Sequence, residues 1–138
     1  MTLTKLYEIA EEYGIRVDNF VLDRNTNSLA VYIDGRYAIA LDLKKMKTER
    51  EVIVALCHEI GHCATHSFYN INNHLDVRSK HEYRADKWAI KKLVPVDELM
   101  KMMDKGTTEL WILAEKFNVT ESFMIKACEL YGFYHRAG

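Results

Sequence analysis

Two histidines four residues apart, His58 and His62, with Glu59 directly after the first, form the segment of this chain best suited to chemistry. On a helix, residues at i and i+4 lie one turn apart on one face, so both imidazoles can grip the same metal ion. Glu59 lies about 100° round the helix, beside the pair, where it can act as general base on a water at the metal. A catalytic Zn2+ site of this kind needs a third protein ligand and keeps its fourth position open. Glu82 is the candidate ligand. Asp86, one turn further on, can accept a hydrogen bond from the free N–H of a ligand histidine, fixing its tautomer and raising its basicity. The bland alternative is a solvated histidine pair followed by a helix that shows its acids to water. Glu82 and Asp86 mean little alone; on the helix after HExxH they favour the metal.

Rival donors are weaker. His66 stands one further turn along from His62. Three successive turns of a straight helix cannot converge on one tetrahedral ion, so His66 is expected to be structural or exposed unless the helix breaks there. The longer pattern HExxHxxGxxH is absent, because Thr65 and Phe68 stand at its later positions. His74, His81 and His135 have no spacing partner and are expected at the surface. Cys57 and Cys63 sit about 240° apart on a helix, which favours buried free thiols over zinc ligation.

These residues need elements to position them. Leu3, Leu6, Tyr7, Ile9, Ala10 and Tyr13 recur at helical spacing, and Gly14 is placed to stop that helix. Three short runs, 17–22, 29–33 and 37–41, are rich in β-branched or aromatic residues. Asp34-Gly35 between the last two is a strong hairpin signal, and 25–28 is a looser turn. The pattern predicts three antiparallel strands in a meander. Thr48 and Glu51 form a capping box that opens a helix to about Thr65, carrying the histidines. After a loop at 69–73, a second long helix is predicted from about 79 to 93, stopping near Pro95. Shorter helices follow at about 97–104, 108–117 and 121–131. Strands first and helices afterwards indicate an α+β fold, and no repeat or linker divides the chain, so residues 1–138 are read as a single domain.

With 49% apolar residues, 28% charged residues and one proline, the chain is neither disordered nor low-complexity. Nineteen basic against 20 acidic residues give a net charge of −1, which offers no electrostatic attraction to nucleic acid or anionic membrane. The stretch 113–124 has the apolar spacing of a helix-turn-helix. Its second helix carries Glu121 and Glu129 against Lys126 alone, which disfavours a DNA-binding regulator and favours helix packing. Trp88, Trp111, Phe117 and Phe123 are expected in the core. The longest apolar run, 52–57, cannot span a bilayer. Acids stand near the start where a signal peptide is apolar, and three cysteines make no disulfide framework. A soluble, cytoplasmic protein is expected.

The motifs as a set resemble the ImmA/IrrE family of zinc metallopeptidases. The resemblance rests on HEIGH at 58–62, on Glu82-Tyr83-Arg84-Ala85-Asp86-Lys87-Trp88-Ala89 and on Leu93-Val94-Pro95, and extends loosely over residues 5–131. It implies a zincin-like fold, with His58, His62 and Glu82 as zinc ligands and Glu59 as the general base. Analogy with related zincins pairs Asp86 with His58. Members are typically cytoplasmic proteins of bacteria, phages and mobile elements, and several are antirepressors that cut or otherwise inactivate a helix-turn-helix repressor. The resemblance therefore implies an endopeptidase acting on a separately encoded repressor. The alternative is a binding module that sequesters the repressor around a structural zinc, which would leave Glu59 without a task. Zincin substrates usually lie extended beside an edge strand, and 37–41 is the expected edge. His81, Tyr83, Arg84 and Tyr69 are all near enough in sequence to supply a second oxyanion donor.

Overall fold

A computed structural model describes residues 1–70 and 72–133; Ile71 of the expected loop and the expected surface residue His135 lie outside them. Thr2 accepts the Lys5 N–H at 3.1 Å and starts α1 (Leu3–Glu12), whose buried stripe is Leu6, Ile9 and Ala10. That stripe packs α1 onto β1 (Ile15–Asn19) and onto the later helix that bears the histidines. Next come β2 (Ser28–Ile33) and β3 (Arg36–Leu41). They are joined by Asp34 and Gly35 at φ 52° and 75°, the left-handed pair that a tight hairpin turn demands.

The sheet is mixed, not the antiparallel meander expected. Its order is β1-β3-β2, with β1 parallel to β3 and β2 antiparallel to it. The physical reason lies in residues 20–27. Phe20 donates to the Leu41 carbonyl at 2.8 Å, which ends β1, and leaves Phe20 and Val21 exposed rather than in the strand expected over 17–22. The chain then crosses the end of β3. Buried Asp42 accepts the Leu22 N–H at 3.0 Å, and the Asp42 N–H reaches the Asn27 carbonyl at 2.9 Å. Lys45 Nζ gathers the carbonyls of Leu22, Asp23 and Thr26. Held this way, the crossing sets β2 on the far side of β3.

Helix α2 (Glu49–Ala64) opens where Thr48 accepts the Glu51 N–H at 3.2 Å. The Glu51 carboxylate reaches back to the Lys47 N–H at 2.6 Å, one residue before the cap. Ile53, Leu56 and Ile60 are fully buried in the core between sheet and helices. Helix α3 (Leu75–Leu93) begins a turn earlier than expected, with Asp76 in its first turn complementing the helix dipole. Gly61 lets α2 and α3 approach: a Cβ there would stand 2.7 Å from the Ala85 carbonyl oxygen.

Helices α4 (Val96–Asp104), α5 (Leu110–Phe117) and α6 (Glu121–Tyr131) close the fold. Leu113, Phe117, Phe123 and Met124 are buried where α5 and α6 pack, so the helix-turn-helix-like spacing serves the core. Trp111 departs from expectation. It lies about 110° round α5 from the stripe of Leu113, Ala114 and Phe117, is 55% exposed, and donates to Glu109 at 2.7 Å. Trp88 is only partly buried. Among the described residues, no helix is long and apolar enough to cross a membrane.

Candidate metal centre

Helix α2 presents His58 and His62 on one face, and α3 brings Glu82 against them. His62 Nε2 lies 2.6 Å from Glu82 Oε2, His58 Nε2 lies 3.2 Å from the same oxygen, and the two Nε2 atoms are 3.2 Å apart. The three donor atoms fall within 4.8 Å of one another. Behind them, His62 Nδ1 lies 2.6 Å from the Ser67 carbonyl oxygen. A carbonyl only accepts, so Nδ1 carries a proton and Nε2 is the nitrogen left to face an ion. His58 Nδ1 lies 2.8 Å from Asp86 Oδ1, which orients the second ring in the same way. Two imidazole nitrogens and one carboxylate oxygen facing one point make a donor set that suits a divalent metal ion.

A family model described as Peptidase_M78, IrrE N-terminal-like domain, matches residues 10–129. The chain belongs to the Peptidase_M78 family. No curated protein and no solved structure matches it significantly. The M78 match spans all three converging donors, Glu59 and Asp86.

Glu59 of the M78 domain is 6% exposed and stands outside the donor set. Its Oε2 accepts the Ser28 hydroxyl at 2.6 Å. Burial pushes its carboxyl above the usual range, although the histidines and Ser28 pull the other way. For His58, burial favours the neutral ring, but hydrogen bonds to Asp86 and Glu82 and the charge of Glu59 outweigh it, lifting the ring to about 10. Glu82 moves oppositely. Burial would raise its carboxyl, yet the two histidines hold it well below its ordinary value. An ion taken up here must displace protons from these rings.

Other M78 residues are sorted by the same geometry. Helix α2 breaks after Ala64, but His66 adopts φ 49°, shares a 2.9 Å hydrogen bond with the Tyr37 hydroxyl and packs on Tyr32 and Phe68. It is not among the converging donors. Cys57 and Cys63 are buried free thiols. His74 is exposed at the start of α3. His81, expected at the surface, is instead half-buried and stacked on Tyr69, and its enclosed Nδ1 has no hydrogen-bond partner among the described residues. Of the four possible oxyanion donors, Tyr69 reaches the site, its hydroxyl donating to Glu82 Oε1 at 3.2 Å, while Tyr83 and Arg84 are exposed.

The edge strand also differs from expectation. Residues 37–41 lie in β3, which is paired on both sides, whereas among the described residues β2 pairs with β3 alone. A cleft of about 530 Å³ runs from 25–30, at the start of β2, past His58, Glu59 and His62 to Tyr69. Sequence reasoning missed Ser28, Ser67 and Gly61. Ser28 meets Glu59 across 31 residues, a contact that no spacing encodes.

Proposed function

We propose that this domain is a zinc-dependent endopeptidase whose substrate is a helix-turn-helix repressor, cleaved to relieve repression of a phage or mobile element. Glu59 carries the peptidase reading. It is a buried carboxylate beside the donors, and a zinc that only braces a fold needs no such group and is normally closed by four protein ligands. Held by His58, His62 and Glu82, zinc would supply Lewis acidity toward the scissile carbonyl and the attacking water. Ser28 occupies Glu59 Oε2, so Oε1 takes the water proton and returns it to the leaving amine. Tyr69 is placed to donate to the developing oxyanion from the Glu82 side. The substrate backbone lies extended along the open edge of β2, pairing as an added strand beside the cleft.

Support for a repressor as substrate comes from the resemblance at 58–62, 82–89 and 93–95. The test is Glu59→Gln, assayed on the repressor encoded beside the gene, by gel and mass spectrometry, with a derepression reporter in cells. Hydrolysis should fall by at least about 10²-fold, while zinc content, fold and repressor binding persist. If Glu59→Gln relieves repression as well as wild type, the protein works by sequestration.

A further inference from the structure

Side chains alternate along a strand, and that alternation gives the sheet two unlike faces. Ile15, Ile39 and Leu41 point inward and are buried in the core, on the side where α1 and α2 pack. The residues between them turn the other way: Arg16 and Asp18 on β1, Arg36, Ala38 and Ala40 on β3, and Leu29, Val31 and Ile33 on β2. This outer face is apolar over β2 and β3, yet Leu29 is 46% exposed, Ile33 is 62% exposed, and Val31, Ala38 and Ala40 are only partly covered. Phe20 and Val21, also exposed, follow β1 at its corner. Charge is confined to the margins. Arg16 and Asp18 neutralise each other at 2.7 Å on the β1 side, and Arg36 stands at the hairpin end. A contiguous apolar face of this kind marks a surface that another protein covers.

Its relief says which protein. Leu29, Val31 and Ile33 form a ridge along β2, and Ala38 and Ala40 leave a trough beside it on β3. A surface that carries ridge and trough side by side is complementary to itself, as a two-fold interface requires. With the axis along the strands, midway between β2 and β3, each copy lays its ridge in the other's trough. Val31 then meets the partner's Ala38 and Leu29 meets the partner's Ala40, in two sheets packed with their strands aligned. Both β1 strands fall outside the overlap, so their charges keep to water.

We propose that the outer face of the sheet binds a second copy of this chain, in a symmetric and reversible dimer. The area sets its strength. Three strands about 4.8 Å apart, each rising about 3.3 Å per residue, present a face of roughly 14 by 20 Å. That is well short of the about 800 Å² per partner of a standard stable interface, so the dimer is weak and forms in the range of about 1 µM to 1 mM. The metal donors lie on the inner side of the sheet, where Ser28 meets Glu59, and are not part of this contact.

Sedimentation equilibrium on the whole chain across that range tests the dimer, and paired variants test its register. Val31→Lys and Ala38→Glu each place a charge in the contact, so each alone should weaken the dimer at least about 10-fold. Mixed together, they set lysine against glutamate across the two-fold axis, and dimer should return. Ile33→Lys, at a position already largely in water, is the variant with least effect on folding and should weaken the dimer as well. Circular dichroism confirms that each variant is folded. A wild type that stays monomeric at 1 mM, or a dimer that survives all three substitutions, overturns the proposal. Loss without recovery on mixing overturns the ridge-in-trough register. A monomeric wild type whose binding to the repressor is weakened by Ile33→Lys gives the face to that partner instead.

Discussion

Glu59 and Asp86 are both carboxylates near His58, and their surroundings set them to different work. Glu59 is enclosed by α2 and Ser28, and burial raises its carboxyl, which would suit the proton transfer proposed for it. Asp86 is held below its ordinary value, because hydrogen bonding to His58 and the nearby Lys126 outweigh the cost of burial. It stays charged and orients a ring. Asp86→Asn should therefore weaken zinc affinity by about 10–100-fold without unfolding the protein. Competition with a chromophoric chelator measures this, and unchanged affinity would leave Asp86 with no part in the site. Tyr69 belongs at the same scale. Tyr69→Phe should lower hydrolysis by about 10²-fold, the usual cost of losing one oxyanion donor, with zinc affinity within a few-fold of wild type. Equal loss of zinc and activity would mean that its hydroxyl serves Glu82 and not the substrate.

The site is an agreement between two helices, and the contact at Gly61 and Ala85 sets their spacing. Gly61→Ala pits two effects against each other. Alanine is the better helix former by about 1 kcal/mol. Against that, its Cβ would meet a backbone oxygen at 2.7 Å, which no side-chain rotation relieves. Overpacking of this kind costs about 1–3 kcal/mol, so the net effect is destabilising. Moving α3 also moves Glu82 and Asp86 relative to His58, so zinc affinity should fall together with stability. Urea denaturation and a zinc titration on Gly61→Ala check both; a gain in stability with unchanged zinc affinity would show that the helices do not meet this closely. The sheet follows the same logic of element placement: β3 is central, so the edge beside the site falls to β2.

Across the whole molecule, the crossing at residues 20–27 holds β2 over the site, and Asp42 is its anchor. The Leu22 N–H, with Lys45, holds the Asp42 carboxyl below its ordinary value of 3.8. A carboxylate depressed in the folded state contributes stability that is fully present above its unfolded value and is lost as pH falls through the folded one. Asp42→Asn should thus have a lower urea midpoint than wild type at neutral pH, and the gap should close as pH falls below 3.8. A gap that stays constant down to pH 3 would show that the charge of Asp42 does no anchoring. What the sequence determined alone was local. The i, i+4 spacing of His58 and His62, the Thr48 cap and the Asp34-Gly35 turn each depend on residues within a turn or two, so residue type and period suffice to read them. Glu82 and Asp86 were legible as a pair one turn apart, but not the distance at which α3 would bring them. The sheet order, the edge strand and Ser28 on Glu59 were decided by the tertiary structure. Each depends on how finished elements dock, through contacts such as Asp42 with Leu22 and Gly61 with Ala85 that join distant parts of the chain, and no periodicity within an element carries that information.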